Sequence, residues 1–373
     1  MKRSLLPAFA LMNFLTVAPG HAETPKVTFP NVPSWVKGDP VTIEIKRPED
    51  PFYLRVEQKI SLIKPQPLTK MDELEKLSPG LKKALPGLER LVSTAETSPL
   101  FEKLYSAKIG SIQGGNLLPS HQYFDTATVL NVHNTETGRR AVIFVSDMDV
   151  DTDGSDPVRM SKLSDYDDAR VSRSYQPLLS YSWAKKPDES ATSPFIAYYQ
   201  DTLGKLRTIK SQVDAAAKAD RNPLWPDLQQ SIQSYLTAIS KKASYYESDL
   251  RHRRSLIAST DPFIVIPQTW AGEMQVGDFV AVIHAGKIYP CLIGDTGPTT
   301  KSGEGSQKLA RAINPKASGR MSAVTMPAVT YIVFPGTGIA RGVPDFAKYK
   351  EEVTRLLGQL GGTGQNVVIH PWK

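Results

Sequence analysis

The most constraining stretch of the chain runs from Asp278 to Pro315, DFVAVIHAGKIYPCLIGDTGPTTKSGEGSQKLARAINP. Two short apolar runs, Phe279–His284 and Lys287–Ile293, flank the dipeptide Ala285-Gly286. Apolar runs of this length around a two-residue turn read as a β-hairpin. Gly294-Asp295-Thr296-Gly297-Pro298 then ends the second strand, because clustered glycine and proline interrupt ladder pairing. After a polar loop, Ser306–Ile313 has helical spacing, and Asn314-Pro315 closes it. The pattern places Asp295 at a strand end and Glu304 nine residues later near a helix start, both on glycine-flanked backbone. Side chains on such loops can face a cleft. Two carboxylates held apart are the equipment of glycoside hydrolysis: one protonates the leaving oxygen and the other activates water or attacks carbon. The same residues would serve equally as a turn residue and a helix N-terminal charge. Spacing alone leaves both readings open.

The rest of the chain narrows the class. Met1-Lys2-Arg3 precedes an apolar run, Leu5–Val17, and Gly20-His21-Ala22 offers small residues for cleavage. Residues 1–22 therefore read as a secretory signal peptide, too short to span a bilayer. No later segment is long and apolar enough for a membrane span, so the expectation is a soluble, secreted or periplasmic protein. The formal charge of +7 falls to +5 without Lys2 and Arg3. No Lys/Arg run is interleaved with aromatics, which argues against nucleic acid as a partner. The single cysteine, Cys291, lies inside an apolar strand and reads as a buried thiol, not as a nucleophile paired with His284. Oligomeric state is not legible.

Residues 23–100 form a proline-rich N-terminal segment. Val41–Ile45 and Phe52–Val56 are expected as strands, and residues 70–95 as short amphipathic helices broken at Pro79-Gly80 and Pro86-Gly87. Residues 101–340 read as the catalytic domain, with strands at Thr126–His133, Ala141–Ser146, Asp261–Pro267 and Val329–Phe334. A helical hairpin is inserted at about 190–258. Its second helix carries an apolar stripe of Leu228, Ile232, Tyr235, Ile239, Ala243, Tyr246 and Leu250, expected to pack on the domain. Residues 341–373 supply a C-terminal helix, with Phe346, Tyr349, Val353, Leu356 and Leu360 on one face, and a strand at Asn366–His370. Short strands with glycine and proline breaks predict an α+β, mainly β, fold with a barrel core.

Between Asp147 and Asp168 the chain carries eight aspartates against Arg159 and Lys162, an acidic run in a basic protein. Asp149-x-Asp151-x-Asp153-Gly154 matches the first half of a calcium loop, but Met160 stands where the closing glutamate belongs. A partial metal site on Asp149, Asp151 and Asp153, completed by Asp165 or Asp167, is one reading. A carboxylate-lined cleft for a cationic polymer is the second, and a solvated acidic loop the third.

Several blocks then agree in order with one family. GDTGP, GEGSQKLA and VTYIVFPGT, together with the upstream Asp147-Met148-Asp149 and DPFIVIP, resemble the endo-chitosanases of glycoside hydrolase family 75. The resemblance implies a six-stranded double-psi barrel and endo-hydrolysis of β-1,4-linked glucosamine polymer (chitosan) with inversion. It makes Glu304 the general acid and Asp295 the general base. Asp147 and Asp149 would bind glucosamine ammonium groups, with either able to replace Asp295 as base, and Thr296 would belong to the substrate site. Trp270 and Tyr289 are candidates to stack on sugar rings, with core packing as the alternative for each. No cofactor is implied. Gly305 departs from the alanine usual in the family, and the helical insertion is not usual there. Two rivals stand beside this reading: a non-catalytic exported polysaccharide-binding protein, and a peptidoglycan-active hydrolase on a similar barrel. The presence of both carboxylates argues against the first, and an acidic cleft would favour chitosan over the wall glycans of the second.

Overall fold

The computed structural model describes residues 42–46, 55–59, 64–154, 156–160, 178–186, 189, 194–220 and 223–373. The expected signal peptide, Asp165 and Asp167 lie outside them. The chain divides into two units, Met1–Ile63 and Lys64–Lys373. In the first, β1 (Thr42–Lys46) and β2 (Arg55–Lys59) pair antiparallel, with Thr42 opposite Lys59.

The second unit opens with α1 (Met71–Leu77), α2 (Leu81–Ala84), α3 (Leu88–Ser93), β3 (Glu96–Thr97) and α4 (Pro99–Gln113). β4 (Thr126–Asn134), β5 (Arg139–Asp151), α5 (Pro157–Met160) and β6 (Ser182–Ala184) follow. The inserted hairpin is α6 (Pro194–Ala219) and α7 (Trp225–His252), leading into β7 (Arg253–Ser255) and β8 (Phe263–Pro267). β9 (Phe279–His284) and β10 (Lys287–Gly297) are the expected hairpin. Its turn is built by consecutive left-handed residues, Ala285 at φ 48° and Gly286 at φ 71°, the twist that matches the flanking strands. β11 (Glu304–Ser306), α8 (Gln307–Ile313), β12 (Val324–Val333) and α9 (Phe346–Gln359) complete the unit.

Six strands close into a mixed barrel in the order β11-β8-β10-β9-β12-β5, sealed by pairing of β5 with β11. The β10·β8 and β11·β5 pairs are parallel and the other four antiparallel. Replacing β5, β8 and β9 by β10, β11 and β12 leaves every pairing unchanged. This internal twofold is consistent with a double-psi barrel. Closure leaves none of the six with a free edge, while β4 and β3 extend the sheet outward from β5.

Alternate residues of the barrel strands feed two apolar clusters. One joins Ile143, Val145, Phe263, Val265, Ala281 and Ile283 to α1–α3 and α9. The other joins Phe144, Ile264, Ile266, Val280 and Tyr331 to α4 and α8. The short helices over 71–93 thus belong to the barrel's unit, because a helix with a leucine stripe gains stability only where that stripe is covered. α9 begins at Asp345, whose Oδ1 accepts from Lys348 N at 3.1 Å, and buries Tyr349, Val353, Leu356 and Leu357. Asn366–His370 forms no full strand. Val368 and His370 instead clasp Ile288 through hydrogen bonds of 2.9 and 2.7 Å.

The hairpin departs from expectation. Among the described residues α6 packs chiefly on α7, and α7 otherwise touches β7 at its base. Leu228 and Tyr235, expected to face the domain, are 42% and 55% exposed. Helices of 26 and 28 residues extend about 40 Å, and their principal contact among the described residues is with each other. Trp270 departs as well. It is fully buried, its Nε1–H donates to Leu100 O at 3.0 Å, and Phe144 packs on it edge-on at 5.1 Å. Phe144 also stacks on Tyr331 with ring centroids 4.4 Å apart. Phe144→Ala should therefore cost about 3–5 kcal/mol in urea unfolding, whereas Leu228→Ala should stay within about 0.5 kcal/mol of wild type.

Candidate active site

A one-residue bulge places the first carboxylate. On β10, Ile293 pairs with Ile264 and Asp295 with Val265, so Gly294 is the extra residue. Were Gly294 paired in a regular ladder and not bulged, Asp295 would fall opposite Ile266 and point to the other face of the wall. The position must be glycine: an added Cβ would lie 2.5 Å from Phe263 Cγ.

β11 places the second. Glu304 pairs with Val265 on one side and with Asp149 on the other. Asp149, Glu304, Val265 and Asp295 thus stand in one row across β5, β11, β8 and β10, and laterally paired residues share a face. On β5 the same face carries Asp147 and Asp151, two residues either side of Asp149. The wall that begins as an apolar surface ends as a line of carboxyls. Gly297 leaves room above them, since a Cβ there would sit 3.0 Å from Val265 Cγ1 and 3.6 Å from Glu304 Oε2. Glu304 is a strand residue and not part of the first turn of α8, which contains no acidic residue and is capped by Ser306.

The loop before Glu304 is bolted to β5. Asp149 N donates to Gly303 O at 2.8 Å, and the Ser302 hydroxyl bonds those of Ser146 (3.0 Å) and Thr126. Lys301 reaches back to bridge Asp149 Oδ2 at 3.2 Å and Glu304 Oε1 at 3.1 Å, with all three side chains 12–17% exposed. Asp149 also accepts from Ser322, from Gln122 at 3.4 Å, and meets His121 Nε2 at 3.0 Å. Asp295 accepts from the Ser180 hydroxyl and from Thr296 N at 2.8 Å.

These environments separate the carboxyls electrically. Burial pushes Asp295 up to about 6, with the Glu304 charge adding to it and the Ser180 and Thr296 hydrogen bonds opposing. Asp149 is held down to about 2: desolvation works against its charge, but Lys301, Ser322 and His121 overcome it. Burial, reinforced by the charges of Glu304 and Asp153, drives Asp151 well above the usual carboxylate range. Asp147 is driven up likewise by burial and by Asp125 and Asp149. Lys301 remains a cation: burial disfavours its charge, and Glu304 and Asp149 more than compensate.

Of the residues expected from sequence, Glu304, Asp295, Asp147 and Asp149 come together, whereas Thr296 pairs with Ile266 on the other face of the wall and meets Asp295 only through its backbone N–H. Trp270 does not, being sealed in the core. Tyr289 is 4% exposed and packs against His370 and Trp372, which leaves no ring face for a sugar. The expected metal trio also divides. Asp151 Oδ1 accepts from Asp153 N at 2.7 Å, an ordinary Asx turn. Among the described residues the ligand atoms that converge are those of His121, Asp147 and Asp149. Cys291 is buried and its pair on β9 is Val280, so no Cys–His dyad forms. Sequence reasoning missed Lys301, His121, Ser180 and Ser322. Lys301 had a signal, three residues before Glu304 in a glycine-rich loop. The other three come from remote segments with no motif around them.

The match to known proteins follows this geometry. The family model of the fungal chitosanases of glycosyl hydrolase group 75 covers residues 148–369. The chain belongs to that family. It is a glycoside hydrolase that acts on chitosan. No curated protein matches its sequence. The matched span contains Asp149, Asp295 and Glu304, and it includes the α6–α7 insertion. Among the described residues no helix is long and apolar enough to cross a membrane.

Gly303 carries the loop into this site at φ 67°, and a Cβ there would overlap Asp147 Oδ1 and Ser146 Oγ. Gly303→Ala should displace Lys301 and Glu304 together. The expected outcome is a loss of about 1–3 kcal/mol in denaturant unfolding and a drop in chitosan turnover larger than that stability loss explains.

Proposed function

We propose that the enzyme cleaves β-1,4-linked glucosamine chains internally and with inversion, Glu304 acting as general acid and Asp295 as general base. The observation that carries this is the shared pairing with Val265. It sets Glu304 and Asp295 two strand spacings apart, roughly 9–10 Å between backbones on one face. Inverting glycosidases need about 6.5–9.5 Å between carboxyls, so that a water fits beside the sugar. Asp149 is a poorer base on the same criterion. It lies one strand from Glu304, roughly 5 Å, and its charge is already committed to Lys301 and His121.

The roles follow from surroundings. Asp295, desolvated yet ionised near neutral pH, is a stronger base than a solvated aspartate and sits where it can orient water. Glu304 must gain a proton to donate one, and protonation ends its ion pair with Lys301, which Asp149 then retains alone. Asp149, held ionised, would receive a glucosamine ammonium group in exchange for its contact with Lys301, while Asp147 stands buried behind it. A wall of carboxyls suits a cationic chain and disfavours neutral or anionic wall glycans, which argues against the peptidoglycan reading. The intact pair argues against a purely binding protein. The N-terminal pattern of residues 1–22 supports export.

Reducing-end release from chitosan, read beside Glu304→Gln and Asp295→Asn, tests the assignment. Each variant should lose at least about 100-fold in kcat. Wild type that binds chitosan without releasing ends would instead mark a binding module. On a soluble glucosamine oligomer, kcat/KM should rise with pH through about 6 as Asp295 ionises. Stability should move the opposite way. The raised value means folding favours the neutral form, so stability is full below the unfolded value of 3.8 and declines as pH rises through about 6. Asp295→Asn should abolish that decline, worth about 3 kcal/mol, in unfolding titrations at pH 4 and 7.

A further inference from the structure

We infer that His121, Asp147 and Asp149 form a seat for one divalent transition ion, of the Mn2+ to Zn2+ type, beside the catalytic pair. Ligand atoms of all three lie within 4.8 Å of one another. Asp147 and Asp149 project from one face of β5, and His121 closes over them from a 3-10 turn at Ser120–Gln122. The His121 Nε2 to Asp149 Oδ2 separation is 3.0 Å. Two ligands at about 2.1 Å from a metal are about 3 Å apart at right angles and about 3.4 Å apart at the tetrahedral angle, so this hydrogen-bonding contact needs at most a few tenths of an ångström to become a coordination edge.

The independent observation is Asp147. Its side chain is 1% exposed, and Oδ2 has no hydrogen-bond partner. Leaving a buried carboxyl oxygen unpaired is costly, and such an orphan calls for a bound species. The surrounding charge says which sign. Asp125, Asp147, Asp149 and Glu304 face Lys108 and Lys301, four carboxyls to two ammonium groups, so the cluster can ionise fully only with a further cation in place.

The donor set says which ion. One imidazole with two carboxylates suits the Mn2+ to Zn2+ series. Calcium wants six to eight oxygens, and magnesium keeps its waters. Ser146 beside Asp147, and Ser322 and Gln122 on Asp149, would orient the two carboxylates from behind. Lys301 touches the same Asp149 oxygen. It therefore opposes the ion electrostatically, and this sets the sign of one test below.

The ion would occupy Asp149, offered above to a substrate ammonium group, but the inference stands apart from the choice of substrate, because binding is read directly. The chelator-treated full chain is titrated with ZnCl2 and with MnCl2 by calorimetry, and the Mn2+ sample is followed by electron paramagnetic resonance. Saturable binding of one ion per chain is expected, with a raised melting temperature. His121→Ala and Asp147→Asn should each weaken it by at least about tenfold, and Lys301→Met should tighten it. His121 is one-third exposed, so its variant decides alone should the buried Asp147 variant fail to fold. Absence of saturable binding for both ions, or affinity unchanged in His121→Ala, overturns the site. Loss of chitosan cleavage with binding intact would count against the proposed reaction only.

Discussion

The extra residue at Gly294 decides whether this barrel has an active site. A strand alternates its faces strictly, so with Gly294 held in the ladder Asp295 would point to the face of Ile293; bulging Gly294 out of register turns Asp295 to the face it shares with Glu304. The insertion is tolerated because glycine lets the backbone pass over the Phe263 ring. β8 then acts as a spacer. Val265, a small apolar residue on a strand buried on both faces, holds the two carboxylates one strand away on either side of itself. Barrel closure makes that spacing rigid, since each of the four strands in the row is hydrogen-bonded on both edges.

The second constraint is charge. Five carboxyls end on one face, and they cannot all be ionised in a partly dry cleft. The fold resolves this unevenly. Asp149 is kept ionised by Lys301, His121 and Ser322, while Asp147 and Asp151 are buried toward neutrality and Asp295 is balanced between the two. Titratable groups driven apart by their surroundings are what acid–base chemistry near neutral pH requires. Behind the row, Lys108 and Asp125 pair at 2.7 Å with both side chains buried. That pair anchors the strand to which the Ser302 hydroxyl is tied, so the support of the site is itself polar and fully enclosed.

Legibility in the sequence followed the range of the interaction responsible. The β9–β10 hairpin was readable because Ala285-Gly286 is a local turn. The C-terminal helix was readable from its stripe and start, and the pair Asp295 and Glu304 from glycine-flanked motifs. For Trp270 and Tyr289 the sequence left sugar stacking and core packing both open, because an aromatic residue has the same one-letter signature whether its ring is sealed by Phe144 or open to a ligand, and the structure places both in the core. The acidic run suggested a calcium loop. Its alternation, however, continues a β-strand, which sends Asp147, Asp149 and Asp151 down one face instead of around a calcium-type loop. The inserted hairpin was readable from its helical spacing, but α7 packs chiefly on α6 and leaves Leu228 and Tyr235 of its stripe exposed.

What the sequence determined by itself was the parts: strand alternation, turn chemistry, helix stripes, and two carboxylates on short glycine-rich segments. These depend on neighbours within a few residues, and backbone sterics and periodicity suffice to express them. Only the tertiary structure decided how far apart the carboxylates stand, which of them carries charge, and that His121, Ser180 and Ser322 meet them. Those properties depend on strand order, on a bulge measured against a partner strand, and on burial. Each of these is a relation between segments distant in the chain, and no local pattern encodes it.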